Sequence, residues 1–277
     1  MIIDFHVHAF SEKIVERAME QLVKTLTKAT KYLPETAENE PCTDGTLGDL
    51  IAKMDKYSID KGVLLPIATK PSQQRVVNDW AKESESDRIL PFGSVHPDAE
   101  DALNELERIK KMGLYGVKLH PDYQEFMVDE ERLFPIYEKC IELNLPILFH
   151  AGFDPISPEK VHAMPDAFAR IMDRFPDITM VLAHFGGMLK WDMVEEYLIG
   201  RKGNLYFDIS TVTCYLSDKQ AERMIKKHGS ERILFATDMP WDCPQNIISL
   251  VERLNLSDED RENIFYSNAQ RLLKLKR

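Results

Sequence analysis

Apolar and polar positions follow two alternating patterns along the whole chain. Short segments rich in β-branched and aromatic residues, such as IIDFHV at 2–7, are typical of strands. Between them lie stretches with apolar residues three or four positions apart, which are typical of helices. Strands are predicted at 2–7, 62–68, 90–95, 115–119, 146–149, 178–183, 205–209 and 232–236. Helices are predicted after Ser11, over 46–57, 72–84, 130–143, 165–174 and 188–198, from Asp98, from Ser217 to Gly229 and at the C-terminal end, with a loop over 29–45.

This order of elements predicts the fold. Seven of the eight predicted strands are almost continuously apolar, which is typical of parallel strands that are covered on both faces. Eight βα units within 277 residues favour an α/β fold of the (β/α)8 TIM-barrel type over an open doubly wound sheet. Because no linker composition interrupts the pattern, we expect one domain over 1–277. The longest interval separates the first two strands, so residues 11–58 are expected to elaborate the first βα loop and to distort the barrel.

Composition excludes several classes of partner. The chain is 44% apolar and 29% charged, which is ordinary globular usage and suffices for a large core without disulfides. Lys plus Arg number 35 and Asp plus Glu number 46, a net charge of −11 that argues against nucleic acid or an anionic membrane as partner. We therefore expect a small-molecule substrate, and a homodimer is an assembly that the sequence permits.

The location of the protein is also predicted from composition. The cysteines form no CxxC pair, which is typical of reduced thiols in a cytoplasmic protein. The N-terminal MIIDFHVHAF lacks the basic start and apolar stretch of a signal peptide, and no run approaches the ~20 apolar residues of a membrane span. A cytoplasmic location is therefore predicted. The cysteines are Cys42, Cys140, Cys214 and Cys243.

Histidines concentrate where the predicted strands end, which is where the chemistry of a (β/α)8 barrel is located. His6 and His8 end the first strand, and because alternate strand residues share a face, both rings enter the barrel mouth about 6.6 Å apart along the strand. A lone histidine is more often a hydrogen-bonded core or loop residue, but several at one end of a barrel indicate a bound cation or acid. The other titratable residues at or near the ends of predicted strands are His96, Lys118, His120, His150, His184 and Asp238.

This set of residue types suits one chemistry. Imidazoles and a carboxylate are ligands that borderline cations such as Zn²⁺ and Mn²⁺ accept. A metal site with an open position lowers the pKa of bound water towards about 7 and polarises the carbonyl group that the resulting hydroxide attacks. Asp238 beside that water could take its proton and deliver it to a leaving group. The sequence therefore predicts a divalent metal, with zinc favoured and manganese as the alternative.

Five motifs resemble those of the amidohydrolase superfamily, in particular its amidohydrolase-2 branch of metal-dependent TIM barrels. They are DFHVH (4–8), GVKLHP (116–121), ILFHAG (147–152), VLAHFGG (181–187) and LFATDMPW (234–241). Two less specific matches lie at 50–66, before and within the second predicted strand, and at 268–273, in the predicted C-terminal helix. Together they span nearly the whole chain, and they are specific for fold and metal chemistry but not for a substrate.

The resemblance implies roles for individual residues. His6 and His8 match the two metal ligands on strand 1, and His150 matches the ligand on strand 5. Asp238 matches the strand-8 aspartate, which binds metal and exchanges a proton with the attacking water. His184 matches the strand-6 histidine, which in one-metal members polarises the substrate or helps to activate water and in two-metal members binds the second metal. Asp238 and His184 are therefore the predicted catalytic residues.

Three further residues keep two interpretations each. By resemblance, Lys118 could be carboxylated and bridge two metals; otherwise it pairs with a carboxylate or contacts the substrate. We favour one metal and expect two only if Lys118 is carboxylated. His120 shares the strand face of Lys118 and is predicted to bind substrate or to support the site. Trp241 is predicted to line the substrate pocket, with a packing role as the alternative. Asp4 is interpreted as orienting a metal ligand or pairing within the barrel, and Asp208 as structural.

The resemblance leaves three functions open. The favoured one is a metal-dependent hydrolase of an amide, lactone or related carbonyl bond in a small molecule. The alternative is a non-oxidative, metal-dependent decarboxylase of an aromatic or unsaturated carboxylic acid, in which an acid protonates the ring carbon. The compact length favours hydrolysis. A barrel that only binds a ligand is disfavoured because every predicted metal position is filled.

Overall fold

The computed structural model describes residues 1–29, 41–155 and 157–276. Within these residues strands and helices alternate as the sequence predicts. The strands are β1 (Ile3–Val7), β2 (Lys61–Leu64), β3 (Ile89–Pro91), β4 (Val117–Leu119), β5 (Ile147–Phe149), β6 (Thr179–Leu182), β7 (Asn204–Asp208) and β8 (Ile233–Leu234). The helices are α1 (Val15–Ala29), α2 (Leu47–Lys56), α3 (Gln74–Glu83), α4 (Ala102–Met112), α5 (Phe134–Glu142), α6 (Pro165–Arg174), α7 (Trp191–Tyr197), α8 (Asp218–His228), α9 (Pro244–Arg253), α10 (Asp258–Glu262) and α11 (Asn268–Leu272).

The eight strands close into a barrel. They pair in parallel in chain order, as β1–β2–β3 and as β4–β5–β6–β7–β8. Beyond β3, Gly93 forms a parallel bridge with Val117 of β4, and the backbone N–H of Lys118 donates to the carbonyl of Gly93 at 2.7 Å. On the other side, the N–H of Phe5 donates to the carbonyl of Phe235 at 2.9 Å, which joins β1 to the end of β8. The predicted (β/α)8 barrel is thereby confirmed.

The strand wall separates two groups of buried apolar side chains. Leu148 of β5 packs in the inner group with residues such as Val63 and Phe92, whereas its neighbours Ile147 and Phe149 pack in the outer group with the helices. This alternation is what a strand between a filled barrel interior and a helical layer requires. Apolar side chains fill the interior of the barrel between the strands, and the polar side chains lie at the mouth, where the strands end.

A bulge in β1 sets the direction of the first metal-ligand candidate. The segment Asp4–Val7 spans one residue more than its paired segment Gly62–Leu64. As a result two consecutive residues face inward: Phe5 packs in the inner apolar group, and the His6 side chain reaches the inner polar residues of the mouth. Bulges commonly re-aim side chains in this way next to active sites.

The first βα connection carries extra structure, as predicted. Helices α1 and α2 both lie between β1 and β2. The predicted loop at 29–45 falls mostly on residues 30–40, which lie outside the described residues. The side chain of Thr46 caps α2 by accepting a hydrogen bond from the N–H of Asp49 at 3.1 Å. None of the helices described is long and apolar enough to cross a membrane.

Several predicted strands are too long. The strands predicted at 62–68 and 90–95 end at Leu64 and Pro91, because side chains take over the backbone hydrogen bonds beyond these points. Oδ1 of Asn78 accepts from the N–H of Ser94 at 2.7 Å, and the hydroxyl of Ser94 accepts from the N–H of Ala68, in the segment after β2, at 3.1 Å. The helix predicted from Asp98 begins only at Ala102. These departures lie where the chain leaves the ladder to build the barrel mouth.

Candidate metal centre

Three donor atoms from both ends of the chain meet at the barrel mouth. Nε2 of His6 lies 3.0 Å from Nε2 of His8 and 3.3 Å from Oδ1 of Asp238, and His8 lies 3.1 Å from the same oxygen. The backbone N–H of Asp238 donates to the carbonyl of His6 at 2.8 Å, so the barrel closure itself brings the residues together. Asp238 holds a φ of 68°, a left-handed conformation that is uncommon outside glycine and concentrates at functional sites.

The partners of the other ring nitrogens decide which nitrogens carry a proton. Nδ1 of His8 lies 2.8 Å from the carbonyl oxygen of Leu65, which can only accept, so Nδ1 is the donor. Nδ1 of His6 donates in the same way to Oδ2 of Asp208 at 2.9 Å. Burial and the charge of Lys118 hold the pKa of His6 well below its usual range, so its Nε2 presents a lone pair. Nε2 of His8 points at the same place.

A second pair of imidazoles repeats this arrangement. Nδ1 of His150 lies 3.1 Å from Nε2 of His184. The opposite nitrogens are occupied, because Nε2 of His150 faces the carbonyl of Phe153 at 3.2 Å and Nδ1 of His184 faces the carbonyl of Ser210 at 3.2 Å. Burial, with His184 and Lys118 nearby, holds the pKa of His150 well below its usual range. The two inward nitrogens are therefore acceptors that face each other.

Facing acceptors require a cation between them, and these donors suit a divalent metal ion. Ligands about 2.1 Å from one ion stand about 3 to 3.5 Å from one another, which is the spacing that His6, His8 and Asp238 show. Asp238 contributes the carboxylate of this set, and its Oδ1 lies close to the inward nitrogens of both rings. His6, His8 and Asp238 bring together three ligand atoms that could hold one divalent ion, and the prediction of a divalent cofactor is confirmed at that level, while the identity of its ligands stays a prediction.

Asp208 supports this site and was not recognised as doing so from the sequence. Its Oδ2 accepts from His6, while its Oδ1 accepts from the hydroxyl of Ser210 at 2.6 Å and from the N–H of His184 at 3.1 Å. A carboxylate on the outer nitrogen of a metal-binding histidine fixes its tautomer and orientation. The interpretation of Asp208 as structural is therefore too narrow. The available signal was its position at the end of β7.

Asp4 pairs within the barrel, one of its two predicted interpretations. Its Oδ1 accepts from the backbone N–H groups of His6 and Thr237 at 3.1 and 3.0 Å, and its Oδ2 accepts from the Thr237 hydroxyl at 2.6 Å. Burial raises the pKa of Asp4 to about 7, against the opposing effect of these hydrogen bonds. Asp4 thus ties the start of β1 to the segment that presents Asp238.

Lys118 lies fully buried beside the first three donors. Its Nζ is 3.5 Å from Nε2 of His6, which places it within the metal centre rather than at the pocket edge. Burial lowers the pKa of Lys118 to about 8, opposed by the charges of Asp238 and Asp208. This position is compatible with either predicted role, so carboxylation and a second metal stay predictions.

His120 belongs to a neighbouring polar group. Its ring stacks on His150 with centroids 4.4 Å apart and planes at 15°, and its Nε2 lies 3.5 Å from Oδ2 of Asp154. Asp154 lies equally far from Nε2 of His150. These three residues also bring donor atoms within 4.8 Å. Two nearly parallel rings do not aim their lone pairs at one point, however, and the Nε2 proton of His150 is directed at Phe153, so we interpret the group as a polar wall of the pocket.

The remaining predicted residues occupy less central positions. Trp241 is half-buried, and its backbone N–H donates to the carbonyl of Asp238 at 2.8 Å. His96 lies in neither group, because its Nδ1 accepts from the N–H of Asp98 in the turn before α4. The substrate-binding roles of His120 and Trp241 and the direct roles of His150 and His184 stay predictions. Asp122 and Asp154, which lie on the loops after β4 and β5, were missed.

Comparison with known proteins identifies the family. A family model described as amidohydrolase matches residues 3–275. The chain belongs to the amidohydrolase-2 family. The family assignment confirms the resemblance on which the ligand predictions rest.

Individual relatives of this amidohydrolase are distant. Gamma-resorcylate decarboxylase of Polaromonas sp. (strain JS666) is 24% identical over 65% of this chain and 68% of that protein. 2-Keto-4-carboxy-3-hexenedioate hydratase of Sphingobium sp. is 22% identical over 77% of this chain and 73% of that protein. The solved structure of 5-carboxyvanillate decarboxylase from Novosphingobium aromaticivorans, complexed with manganese and 4-hydroxy-3-methoxy-5-nitrobenzoic acid, has a TM-score of 0.75 at 18% identity, covering 99% of this chain and 96% of that chain.

The favoured prediction of hydrolysis is wrong. Several relatives and structural neighbours of this chain are named as decarboxylases, which supports the alternative instead. The error has a physical reason: a metal site that polarises a substrate oxygen serves both reactions, so the ligand pattern does not encode which bond breaks. Chain length was the remaining criterion, and it has no connection to the chemistry. The preference for zinc is likewise unsupported, since the complexes named with a metal contain manganese.

Proposed function

We propose that this amidohydrolase is a metal-dependent, non-oxidative decarboxylase of an aromatic or unsaturated carboxylic acid. The observation that carries the proposal is the convergence of His6, His8 and Asp238 beside the buried Nζ of Lys118. Such a site binds a carboxylate through a cation and N–H donors. Named decarboxylases among the relatives favour this reaction over others that the same site could support.

The metal in this proposal is Mn²⁺. His6, His8 and Asp238 would hold it, with His150 and His184 as the further predicted ligands. Two imidazoles and a carboxylate suit Mn²⁺ as well as Zn²⁺, and the named manganese complexes of structural neighbours favour the former. A bound divalent ion supplies Lewis acidity that polarises the oxygens of the substrate.

The protein's own residues must bind the acid and move one proton. In decarboxylation the bond between the ring carbon and the carboxyl carbon breaks, CO₂ leaves, and a proton replaces it on the ring carbon. Nζ of Lys118 provides N–H donors to the carboxylate of the substrate. Asp238, charged and at the mouth, accepts a proton from a hydroxyl group or from the acid and returns it to that carbon. His120 and Trp241 are proposed to contact the body of the substrate.

Isotope labelling tests the proposal directly. The Mn²⁺-loaded enzyme is incubated with a panel of hydroxybenzoates and unsaturated dicarboxylates that carry ¹³C in the carboxyl group, in D₂O. We expect release of ¹³CO₂ and one deuterium on the carbon that carried it, and neither product with His8→Ala or with the metal-free enzyme. Absence of ¹³CO₂ across the panel would refute decarboxylation. A product heavier by one water with all carbon retained would assign a hydratase reaction instead.

A further inference from the structure

Asp122 carries a buried side-chain oxygen without a hydrogen-bond partner, the single such atom in the part of the chain that the structure describes. Its side chain is 0% exposed. Nδ1 of His162 lies 2.8 Å from Oδ1, and the hydroxyl of Ser157 donates to the same oxygen. These two donors hold the carboxylate through Oδ1, and neither of them makes a hydrogen bond to Oδ2. An unpaired buried carboxylate oxygen destabilises a fold, so its retention calls for a reason.

The atom that Oδ2 faces belongs to a predicted metal ligand. Nε2 of His150 lies 4.0 Å from Oδ2 of Asp122. The same nitrogen lies 3.2 Å from the carbonyl of Phe153 and 3.5 Å from Oδ2 of Asp154. Three oxygen acceptors therefore surround one ring nitrogen of His150, and each favours a proton at that position. On the opposite side of the ring, Nδ1 faces His184.

We propose that Asp122 is a positioning residue of the metal centre, which acts through His150 by keeping its proton on Nε2 and its Nδ1 lone pair directed at the metal. His162 and Ser157 serve to hold Asp122 in place. The inference rests on the proposed function, in so far as His150 binds the metal. It gives the loop after β4, which carries Asp122, a role in metal affinity that acts through His150.

The carboxylate charge has a further effect on a metal-bound ring. When Nδ1 binds a cation, positive charge spreads over the imidazole, and a buried carboxylate on the far side stabilises it. Partners of this kind typically change metal affinity by about 10- to 100-fold. Asp122→Asn removes the charge and keeps the size. Because two donors hold the remaining oxygen at the position of Oδ1, the new amide N–H would face the N–H of His150, and the Nε2-protonated form would be disfavoured.

The test measures Mn²⁺ affinity in a double-mutant cycle. Dissociation constants are obtained by competition with a chelating dye for the wild type, Asp122→Asn, His150→Ala and the double variant. Asp177→Asn, which removes an exposed carboxylate, is the matched control. We expect a 10- to 100-fold weaker affinity for Asp122→Asn, no change for the control, and no additional loss from Asp122→Asn once His150 is absent.

A second readout separates positioning from general damage to the fold. ¹⁵N spectra of the histidine rings in the metal-free protein report the tautomer of His150, which should move from Nε2–H towards Nδ1–H in Asp122→Asn. Wild-type Mn²⁺ affinity in Asp122→Asn would overturn the inference, as would an equal loss with and without His150. If His150→Ala alone leaves affinity unchanged, this inference fails, whereas the ¹³CO₂ assay decides the proposed function separately.

Discussion

Replacing Asp208 with Asn tests whether outer hydrogen bonds set the metal centre. Three donors converge on Oδ1 of Asp208: the backbone N–H groups of His184 and Ser210, each at 3.1 Å, and the Ser210 hydroxyl at 2.6 Å. An amide oxygen must stay at this position, because only an acceptor satisfies all three. The amide nitrogen then lies where Oδ2 stood, against the Nδ1–H of His6.

That contact sets one donor against another. His6 avoids it by moving its proton to Nε2, which removes the lone pair that faces His8 and Asp238. Loss of a hydrogen bond to a charged group costs about 1.5–3 kcal/mol. Outer partners of metal-bound histidines change affinity about 10- to 100-fold, equivalent to about 1.4–2.7 kcal/mol. We therefore expect Mn²⁺ binding weaker by this factor and lower stability of the metal-free protein.

The assay combines Mn²⁺ competition titration with calorimetry of the metal-free protein. Asp173→Asn is the control, since Asp173 is an exposed carboxylate on α6 that pairs with Arg201 at 2.6 Å. Excess Mn²⁺ should restore much of the activity of Asp208→Asn if the fold is intact. Wild-type Mn²⁺ affinity in this variant would refute the assignment of protons in the centre, and with it the argument that His6 and His8 share a cation.

Three further predictions concern the proton carrier, a close approach and a pH effect. Asp238→Asn should lower kcat and kcat/KM together by about 10²–10⁴-fold in fully metallated enzyme, because the amide cannot carry a proton; near-normal kcat would shift that role to His184. Gly152→Ala should destabilise the fold by several kcal/mol in urea titrations, since its Cβ would lie 2.1 Å from the backbone nitrogen of Met188, at a φ of +86°. Burial lowers the pKa of His228 to about 4, below its unfolded value near 6.5, so stability should fall by about 1–3 kcal/mol as pH drops from 6.5 to 4. His228→Gln, which can keep both backbone hydrogen bonds, should flatten that pH dependence, and an unchanged profile would contradict the assignment.

The central ligands could be predicted because they follow from local rules. His6 and His8 alternate along one predicted strand, and Asp238 comes two residues after the end of another, at 236, so position near a strand end suffices to place them in the mouth. The barrel likewise follows from the number and apolar character of the strands. Strand ends were overestimated because apolar residues continue beyond the ladder, where side chains such as Asn78 replace strand partners.

Supporting residues could not be predicted from such rules. The contact of Asp208 with His6 joins positions 202 residues apart and depends on how β7 stands against β1 across the barrel. The bulge that turns His6 inward has no composition signal, since β1 contains no glycine. Asp122 reaches His150 from the loop after β4, whose course periodicity does not describe. Each of these depends on three-dimensional register rather than on sequence spacing.

The metal centre is therefore prepared largely by the barrel backbone. Of the four facing imidazoles, three have their outer nitrogen on a main-chain carbonyl, contributed by Leu65, Phe153 and Ser210. Carbonyls accept whatever side chain they carry, so these tautomers survive substitution at those positions as long as the backbone keeps its course. His6 differs, since its outer nitrogen relies on a carboxylate side chain. Sensitivity to single substitutions should thus concentrate at Asp208 and Asp122, the carboxylates that face His6 and His150, and a variant that alters the side chain of Leu65 without moving its backbone should bind Mn²⁺ as the wild type does.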